Sequence, residues 1–583
     1  MMPSNASLAG FLPSGKQRWF SIASPATAGA LAFALRMWAV VSTARSPYWN
    51  SPVVDQGQYD RNGWEIARGL RESGFFRLHG PVYPHFLAFL YMVFGHSPWM
   101  PLLIQAIFGT AATVALWYAA RSLGSPLAAT VAALLWATYW GAVLVDASLL
   151  SESLATALTI SGVAGLSWSD ASGTHWARAL WAFSSGAAIA LACGCRPTIL
   201  IFVPIALVWL LAGKRSLAIC AFVAGMAVGS IPLAVRVVRR GPTEAVLQDN
   251  GGLAVFIANG PMADGTPNVD GGSSWAKVND LAKQSGARTE RERDRFYLGL
   301  VRRFASEQPV SFARLQARKL LLAWNVAEAS AGEDLTYFRR RIPWSMLPGL
   351  FPVFILAPLG LLPLWQSRAG RLWLSLGGAS LLGLLVSGVS LRYRLLLVPV
   401  LCLAAGEGAG RLLGLMKSPV KRWIDVASWI ILALGGSALS LEPMTTQIER
   451  GFICYNRGLA FHRSGDLSAA KDAYLRAIEL DPDTASPYTN LAAMALARGD
   501  LEAAIKRSRQ ALARSPASSN ARMNLLLALA LRGDFGEAAI QMKQLPPSIV
   551  QSSTSRIIAA AQEGARLHPA AGGEEFLALL GAH

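Results

Sequence analysis

SPVVDQGQYDRNGWEIARGLRESGFFRLHGPVYP, residues 51–84, is a polar stretch set between an apolar run ending near Ala44 and another starting near Pro98. It mixes acidic and basic side chains with aromatics at Tyr59, Trp64, Phe75, Phe76 and Tyr83. Packing gives a membrane protein no reason to keep such a loop, whereas loops held on a rigid frame are where binding and chemistry concentrate. The stretch therefore divides the chain into an apolar frame and polar outer loops. Asp55 and Asp60 are its first candidates for chemistry. They stand five apart, so on a helix they would point about 140° away from each other and would not form a carboxylate pair. Asp55 precedes the helical-looking run Tyr59 to Arg71 and is the better placed general base or cation ligand. The bland alternative is a pair of surface carboxylates that solvate a loop.

The whole composition agrees with the frame. Of 583 residues, 53% are hydrophobic and mean hydropathy is +0.36, too apolar for a string of soluble domains. The net charge of +18 then speaks for loop charges that orient spans and meet anionic lipid, not for nucleic acid. Five cysteines, four of them inside apolar runs, draw neither a disulfide framework nor a zinc pattern. The run 22–44 reads as a retained first span, since no small-residue cleavage site accompanies it.

Runs long enough to cross a bilayer, about 20 residues each, fall near 22–44, 98–121, 126–144, 146–167, 178–195, 197–213, 215–235, 346–366, 371–390, 393–412 and 424–441, eleven in all. Val82 to Gly95 reads as a short interfacial helix. With the N-terminus inside, every inner turn carries a positive charge, including Arg121, Arg178, Arg215, Arg368 and Arg411. Loops 45–97 and 236–345 then lie outside, with everything after Leu441.

After Glu442 the chain becomes polar and periodic. Asn456, Asn490 and Asn524 are 34 apart, as are Gly465, Gly499 and Gly533, the aspartates after them, and Pro482 and Pro516. That period, with Gly closing one helix and Pro following the next, is the signature of tetratricopeptide repeats. Helices near Ser555 to Leu567 and Gly573 to Leu580 are expected to cap the stack. The expected fold class is thus all-α: a polytopic helical membrane domain over 1–441 followed by a repeat solenoid over 442–583.

Glu152, near the outer end of the fourth expected span, is a functional candidate because an ionisable side chain at membrane depth is costly. Asp146 reads as the end of the preceding span, and Arg36 as facing the bundle without a nameable partner. Arg196, Arg392 and Arg394 stand at outer span ends, against the positive-inside preference. A guanidinium fork grips phosphate by two prongs, which makes a lipid phosphate one reason for them; snorkelling to headgroups is the other. Asn259, in the Gly-rich stretch 249–265, suggests tight backbone around a ligand. No Walker, Rossmann, HExxH or serine-elbow pattern occurs.

Taken in order, SPVVDQGQYDRNGWEIARG, GPVYPHFLAFLYMVFG, LLSESLATAL, CRPTILIFVP, NGGLAVFIANGPMADG and RYRLLLVP make the chain resemble, over about residues 20–412, the polytopic GT-C glycosyltransferases of the protein-mannosyltransferase and aminoarabinose-transferase type (glycosyltransferase family 39). The resemblance implies an inverting transfer of sugar from a polyprenyl-phosphate donor at the outer face of the cytoplasmic membrane, to a protein, lipid or glycan acceptor. It maps the catalytic base onto Asp55, a second acidic position onto Glu152 and donor-phosphate arginines onto Arg196 and Arg392, with Arg394 beside them. Tyr59, Asp60, Tyr83 and Asn259 are the expected substrate-binding residues. Gln56 follows Asp55 where the related pattern pairs two acids, so no metal ligand is assigned and a divalent cation is left open as cofactor. The repeats would present a concave surface to a protein partner on the outer, periplasmic side. A transporter or polymerase of lipid-linked glycans and a membrane-anchored scaffold are the alternatives; no related halves with broken helices point to the first, and so many spans exceed what the second needs.

Overall fold

A computed structural model describes residues 24–70, 80–240, 251–267, 289–332 except 327, 349–415 and 447–567, with scattered positions in 278–287 and 334–338 and at 427 and 576. No strand occurs among the described residues. The chain separates into two compact units: Met1–Pro267 with Gly286–Met444, and Asn268–Ser285 with Thr445–His583.

The first unit is a helical bundle. Its helices run α1 Pro25–Ala44, α2 Val54–Ala67, α3 Val82–Phe94, α4 Trp99–Leu123, α5 Pro126–Thr138, α6 Trp140–Asp146, α7 Ser151–Ala171, α8 His175–Cys195, α9 Phe202–Ala212, α10 Ser216–Gly229, α11 Ile231–Arg240, α12 Gly251–Asn259, α13 Glu290–Glu307, α14 Pro309–Ala323, α15 Phe351–Gln366, α16 Arg368–Ser387 and α17 Val398–Leu415. Starts are written in the sequence. Ser24, Ser125, Thr174 and Ser367 each accept the N–H three residues on, and Pro25 and Pro126 follow two of them, where a missing N–H costs nothing. Helix α8 packs on α7 and α10, α17 on α15 and α5, and α2 on α3. Small residues allow these approaches: a Cβ on Gly225 would lie 2.0 Å from the Phe183 carbonyl oxygen.

Four helices, α1, α4, α8 and α16, are long and apolar enough to cross a membrane, and α5 with α6 make a fifth if taken as one span bent by 55°. The count of eleven is not reached by this measure among the described residues. The difference has a physical source. The Arg196-Pro197 junction unwinds into a 3-10 turn, Pro197–Ile201; α10, α9 and α15 are apolar but short; and the run 126–144 is broken at Tyr139, whose extended backbone (ψ 108°) interrupts the helix. The expected span 424–441 lies outside the described residues. The short helix expected at Val82 to Gly95 is α3, with Phe89, Met92, Val93 and Phe94 exposed.

Arg36 finds its partner 110 residues away. Its Nε donates to Asp146 Oδ2 at 2.7 Å, and the Ser153 hydroxyl donates to Asp146 Oδ1 at 2.6 Å. Asp146 therefore does more than end a span: it ties α1 to α6 and α7. Gly109 of α4 leaves the room, since a Cβ there would lie 2.2 Å from Asp146 Oδ2 and 2.3 Å from Arg36 Nε.

Charge is sorted to the two ends of α7. At its C-terminal end Asp170 pairs with Arg215 (2.9 Å) and Arg368 (3.1 Å), and Arg178 donates to the Ser172 carbonyl (2.8 Å). These are arginines of the expected inner turns. Glu152 lies 18 residues back, ~27 Å along the helix at 1.5 Å per residue.

The second unit holds the repeats: α18 Gln447–Arg463, α19 Leu467–Leu480, α20 Ala485–Ala497, α21 Leu501–Arg514, α22 Ser519–Arg532, α23 Phe535–Lys543 and α24 Pro547–Leu567. Gly465, Gly499 and Gly533 have φ of +86°, +77° and +89°, the left-handed turn that stops each first helix. Asp466 and Asp500 then accept the N–H groups of Ala469 and Ala503 and start the second. The cap expected from Ser555 is longer, beginning at Pro547. The expected last helix near Gly573 to Leu580 lies outside the described residues except Phe576, which packs on Phe535 with ring centres 5.7 Å apart.

The Arg36–Asp146 pair gives a stability test. Gly109→Ala should force the pair apart in an apolar interior and cost about 3–5 kcal/mol, read as a lower unfolding temperature in detergent. Arg36→Leu with Asp146→Leu together should cost less than either alone, because neither charge is then left unpaired.

Candidate active site at the bundle end

Four side chains from distant segments form one ionic cluster. Asp55 sits in the first turn of α2 and Glu152 in the first turn of α7, where the helix N-terminus favours a negative charge. Arg196 caps the C-terminus of α8, where a cation is favoured. Arg392 lies in the helical turn Leu391–Arg394, which Ser390 caps through the Tyr393 N–H. Arg392 Nη2 donates to Asp55 Oδ2 at 2.7 Å, Arg392 Nε lies 3.4 Å from Glu152 Oε1, and Arg196 Nη1 donates to that same oxygen at 2.8 Å. The Arg196 guanidinium also rests over the Tyr393 ring, 4.1 Å from its centre.

Tyr59 supports the cluster from α2. Its hydroxyl donates to Ser151 Oγ at 2.9 Å, and Ser151 Oγ donates to Glu152 Oε2 at 3.3 Å. Burial, and then the carboxylates of Glu152 and Asp55, push the Tyr59 phenol well above its ordinary range. It therefore keeps its proton and acts as a donor. Tyr83 meets Tyr59 edge to face at 4.9 Å, but its hydroxyl is spent on Gln105 Oε1 at 2.6 Å.

The cluster closes one end of a cavity. Glu152, Arg196, Arg392 and Tyr393 line its polar end, and Phe202, Leu376 and Leu384 are among the apolar residues that carry it between the 3-10 turn, α7 and α16. Fixed positive charge beside an apolar slot can hold an anionic headgroup and its hydrocarbon tail together. Asp55, with its side chain 26% exposed against 18% for Arg196 and 4% for Arg392 and Glu152, is the member most open to solvent.

The remaining expected site residues lie elsewhere. Asp60 accepts from the Tyr91 hydroxyl at 2.7 Å and meets His96 Nε2 at 2.9 Å, on another face of α2, as the five-residue spacing requires. Arg394 points the other way from Arg392: it donates to the carbonyls of Leu322, Ala323 and Asn325 and pairs with Glu328, which also accepts from Tyr139 at 2.6 Å. It does not line the cavity. Asn259 gives its Nδ2 to the Val386 carbonyl at 2.8 Å and accepts from Lys319 Nζ at 2.7 Å. It pins α12 and α14 to the end of α16. Among the described residues no three His, Cys, Asp or Glu side chains gather as metal ligands. Asp55 and Glu152 are both engaged by guanidinium groups, a donor set that does not fit a divalent cation.

Sequence reasoning missed Tyr393, Ser151 and Lys319. Tyr393 stood inside the LRYR motif as an aromatic between two arginines, which is the signal that could have found it.

Residues 78–238 match the family model of dolichyl-phosphate-mannose-protein mannosyltransferases, and 452–484 and 473–506 match tetratricopeptide-repeat models. The chain thus carries, at 78–238, a segment similar to that mannosyltransferase family and, after the bundle, tetratricopeptide repeats. The family match contains Glu152 and Arg196 and ends before Arg392. No curated protein matches the chain. Among solved structures it is similar to the oligosaccharyltransferase AglB of Archaeoglobus fulgidus in complex with an inhibitory peptide and a dolichol-phosphate (14% identity, TM-score 0.38, 74% of this chain and 56% of that one). The apo form of the Archaeoglobus fulgidus oligosaccharyltransferase gives 14% and 0.40, with 81% and 59% covered. The form tethered with an acceptor peptide containing the NVT sequon gives 14% and 0.39, with 73% and 54% covered. The chain spans little more than half the length of these proteins.

Lys319 makes the docking of α14 dependent on pH. Burial pushes its amine down to about 7, whereas the unfolded lysine keeps its proton to about 10.4. Between these values the unfolded chain binds more protons, so stability rises with pH over that window and is lost as pH falls toward 7. Lys319→Met should remove that slope, measured as unfolding temperature from pH 7 to pH 10.

Proposed function

We propose that the protein is a membrane glycosyltransferase that moves a sugar from a polyprenyl-phosphate donor to a protein, lipid or glycan acceptor at the outer face of the cytoplasmic membrane, with inversion. The observation that carries this reading is the bonded series Asp55, Arg392, Glu152, Arg196 at the mouth of a cavity that is polar at one end and apolar along its length. The match of residues 78–238 to the mannosyltransferase family supports it.

In this reading the donor phosphate lies against Arg196 and Arg392 and its isoprenoid tail follows the apolar slot. The acceptor O–H or N–H attacks the anomeric carbon opposite the phosphate. As the new bond forms, the bond from the anomeric carbon to phosphate oxygen breaks, and its electron pair leaves with the lipid phosphate. The acceptor proton goes to Asp55. The arginines stabilise negative charge where it develops, in a site largely closed to water, and the Asp55 carboxylate sits beside an oxocarbenium-like centre.

The cluster as it stands holds two carboxylates and two guanidinium groups and is formally neutral. An arriving phosphate adds negative charge and competes with Asp55 for Arg392, which releases the base when the donor is in place. Arg178, Arg215 and Arg368 at the opposite end of α7 favour facing that end inward.

Asp55→Asn should lower transfer from a polyprenyl-phosphate sugar by about 10²–10⁴, the usual worth of a general base, with unfolding temperature unchanged. Wild-type turnover in that variant would reject the assignment. Arg392→Lys, which keeps the charge and loses the fork, should mainly weaken donor binding. A reporter fused after Leu441 should behave as exported; cytoplasmic activity would overturn the orientation.

A further inference from the structure

Val54, the residue before Asp55, has φ +54°. A β-branched side chain is rarely found there, because its Cβ crowds the backbone, and such strain persists only where the surroundings enforce it. The enforcing contact comes from the second long loop. Gly332, itself at φ +106°, lies so close that a Cβ built on it would be 3.2 Å from Val54 Cγ1. Two residues further on, Asp334 Oδ2 accepts from the Tyr48 hydroxyl at 2.7 Å, and the Tyr48 ring packs on Tyr337 and Phe338 with centres 5.5 and 5.6 Å apart. The start of α2 is thus held on both sides by one short piece of loop.

The same piece holds the other partner of the Asp55 bond. The Ala329 carbonyl accepts from the Leu391 N–H at 2.8 Å, one residue before Arg392, and Glu328 pairs with Arg394, two residues after it. Tyr139 donates to the other Glu328 oxygen and fastens the loop to the break between α5 and α6. Asp55 and Arg392 are 337 residues apart in sequence, yet the neighbours of both are held by Glu328, Ala329, Gly332 and Asp334. The strained backbone at Val54 and the buried Glu328 and Asp334 are separate observations that agree.

We propose that Glu328–Asp334 is a positioning strut that fixes the Asp55 carboxylate against the arginine pair, with Val54, Gly332 and Tyr48 as its working contacts. The strut reaches Asp55 and Arg392 through their chain neighbours: Gly332 meets Val54, Asp334 holds Tyr48, Ala329 holds Leu391 and Glu328 holds Arg394. Its Val54 and Tyr48 contacts act on alignment of the base: when they are loosened the catalytic step slows, while Arg392, held separately through Ala329 and Glu328, keeps donor binding as it was. The proposal rests on the glycosyltransferase reading and adds to it residues that act through Asp55.

The test uses the full-length protein with a polyprenyl-phosphate sugar. Val54→Gly keeps the backbone conformation accessible and deletes the side chain that meets Gly332; Tyr48→Phe releases Asp334 at nearly constant volume. Each should lower kcat about tenfold with donor KM within about twofold, while Val54→Thr, which keeps the branched shape, should retain kcat. Full kcat in both Val54→Gly and Tyr48→Phe would overturn the strut, as would a loss in Val54→Thr equal to that in Val54→Gly. A parallel rise in donor KM would also overturn it, since that would place the effect on the phosphate site. Asp55→Asn separates the two levels. If that variant is active the transferase reading fails; if it is inactive while Val54→Gly and Tyr48→Phe are fully active, only the strut fails.

Discussion

The constraint on which the rest of the bundle depends is the Glu152 carboxylate, buried to 3% exposure at the head of a helix among apolar neighbours. A carboxylate at that depth is expensive unless charge and hydrogen bonds surround it, and removing one partner of such a pair leaves a charge with nothing to meet it. One oxygen therefore draws Arg196 from the end of α8 and Arg392 from the turn before α17, while Ser151 serves the other. Three segments far apart in sequence are obliged to meet at one point. Asp55 joins as the outermost member by sharing Arg392. The site is thus a consequence of neutralising one buried acid.

How much of this could be read beforehand varied with the kind of signal. The repeats were legible because a 34-residue period is local and repeats itself. The opposed directions of Asp55 and Asp60 were legible from helical spacing alone, and so, in principle, were those of Arg392 and Arg394: two residues apart in a helical turn, they stand ~200° from each other, so only one can share Glu152 with Arg196. Pairings between spans were a different matter. Arg36 and Asp146 are 110 residues apart, and hydropathy ranks both only as costly interruptions. Their mutual attraction is a property of packing, made possible by the absent side chain of Gly109, and a single sequence contains no trace of it.

The break at Tyr139 shows the same limit from another side. LLWATYWGAVLVD contains no proline and reads as an unbroken apolar run. The structure bends it by 55°, with the Tyr139 hydroxyl on Glu328 of the second long loop. The stabilising partner is a loop residue 189 positions away, so no local propensity could have announced the bend. Lys319 and Asn259 are alike in this respect: Asn259 looked like a ligand contact in a glycine-rich stretch, and its amide is used to hold two loop helices on the end of α16.

Helix α7 contains its own control for the claim that one end is a site. At both ends a carboxylate is shared by two arginines, Glu152 by Arg196 and Arg392, Asp170 by Arg215 and Arg368. Charge pairing alone therefore does not distinguish them. At Asp170 the guanidinium groups go on to donate to the carbonyls of Asp170 and Trp209, and Arg368 lies over the Trp209 ring at 4.5 Å; their donors are consumed by the fold. At Glu152 the two arginines face a cavity with apolar walls, and the neighbouring acid, its side chain about a quarter exposed, shares Arg392. Guanidinium groups that face a cavity, where those of the Asp170 end are spent on backbone carbonyls and a tryptophan ring, are what sets the two ends apart.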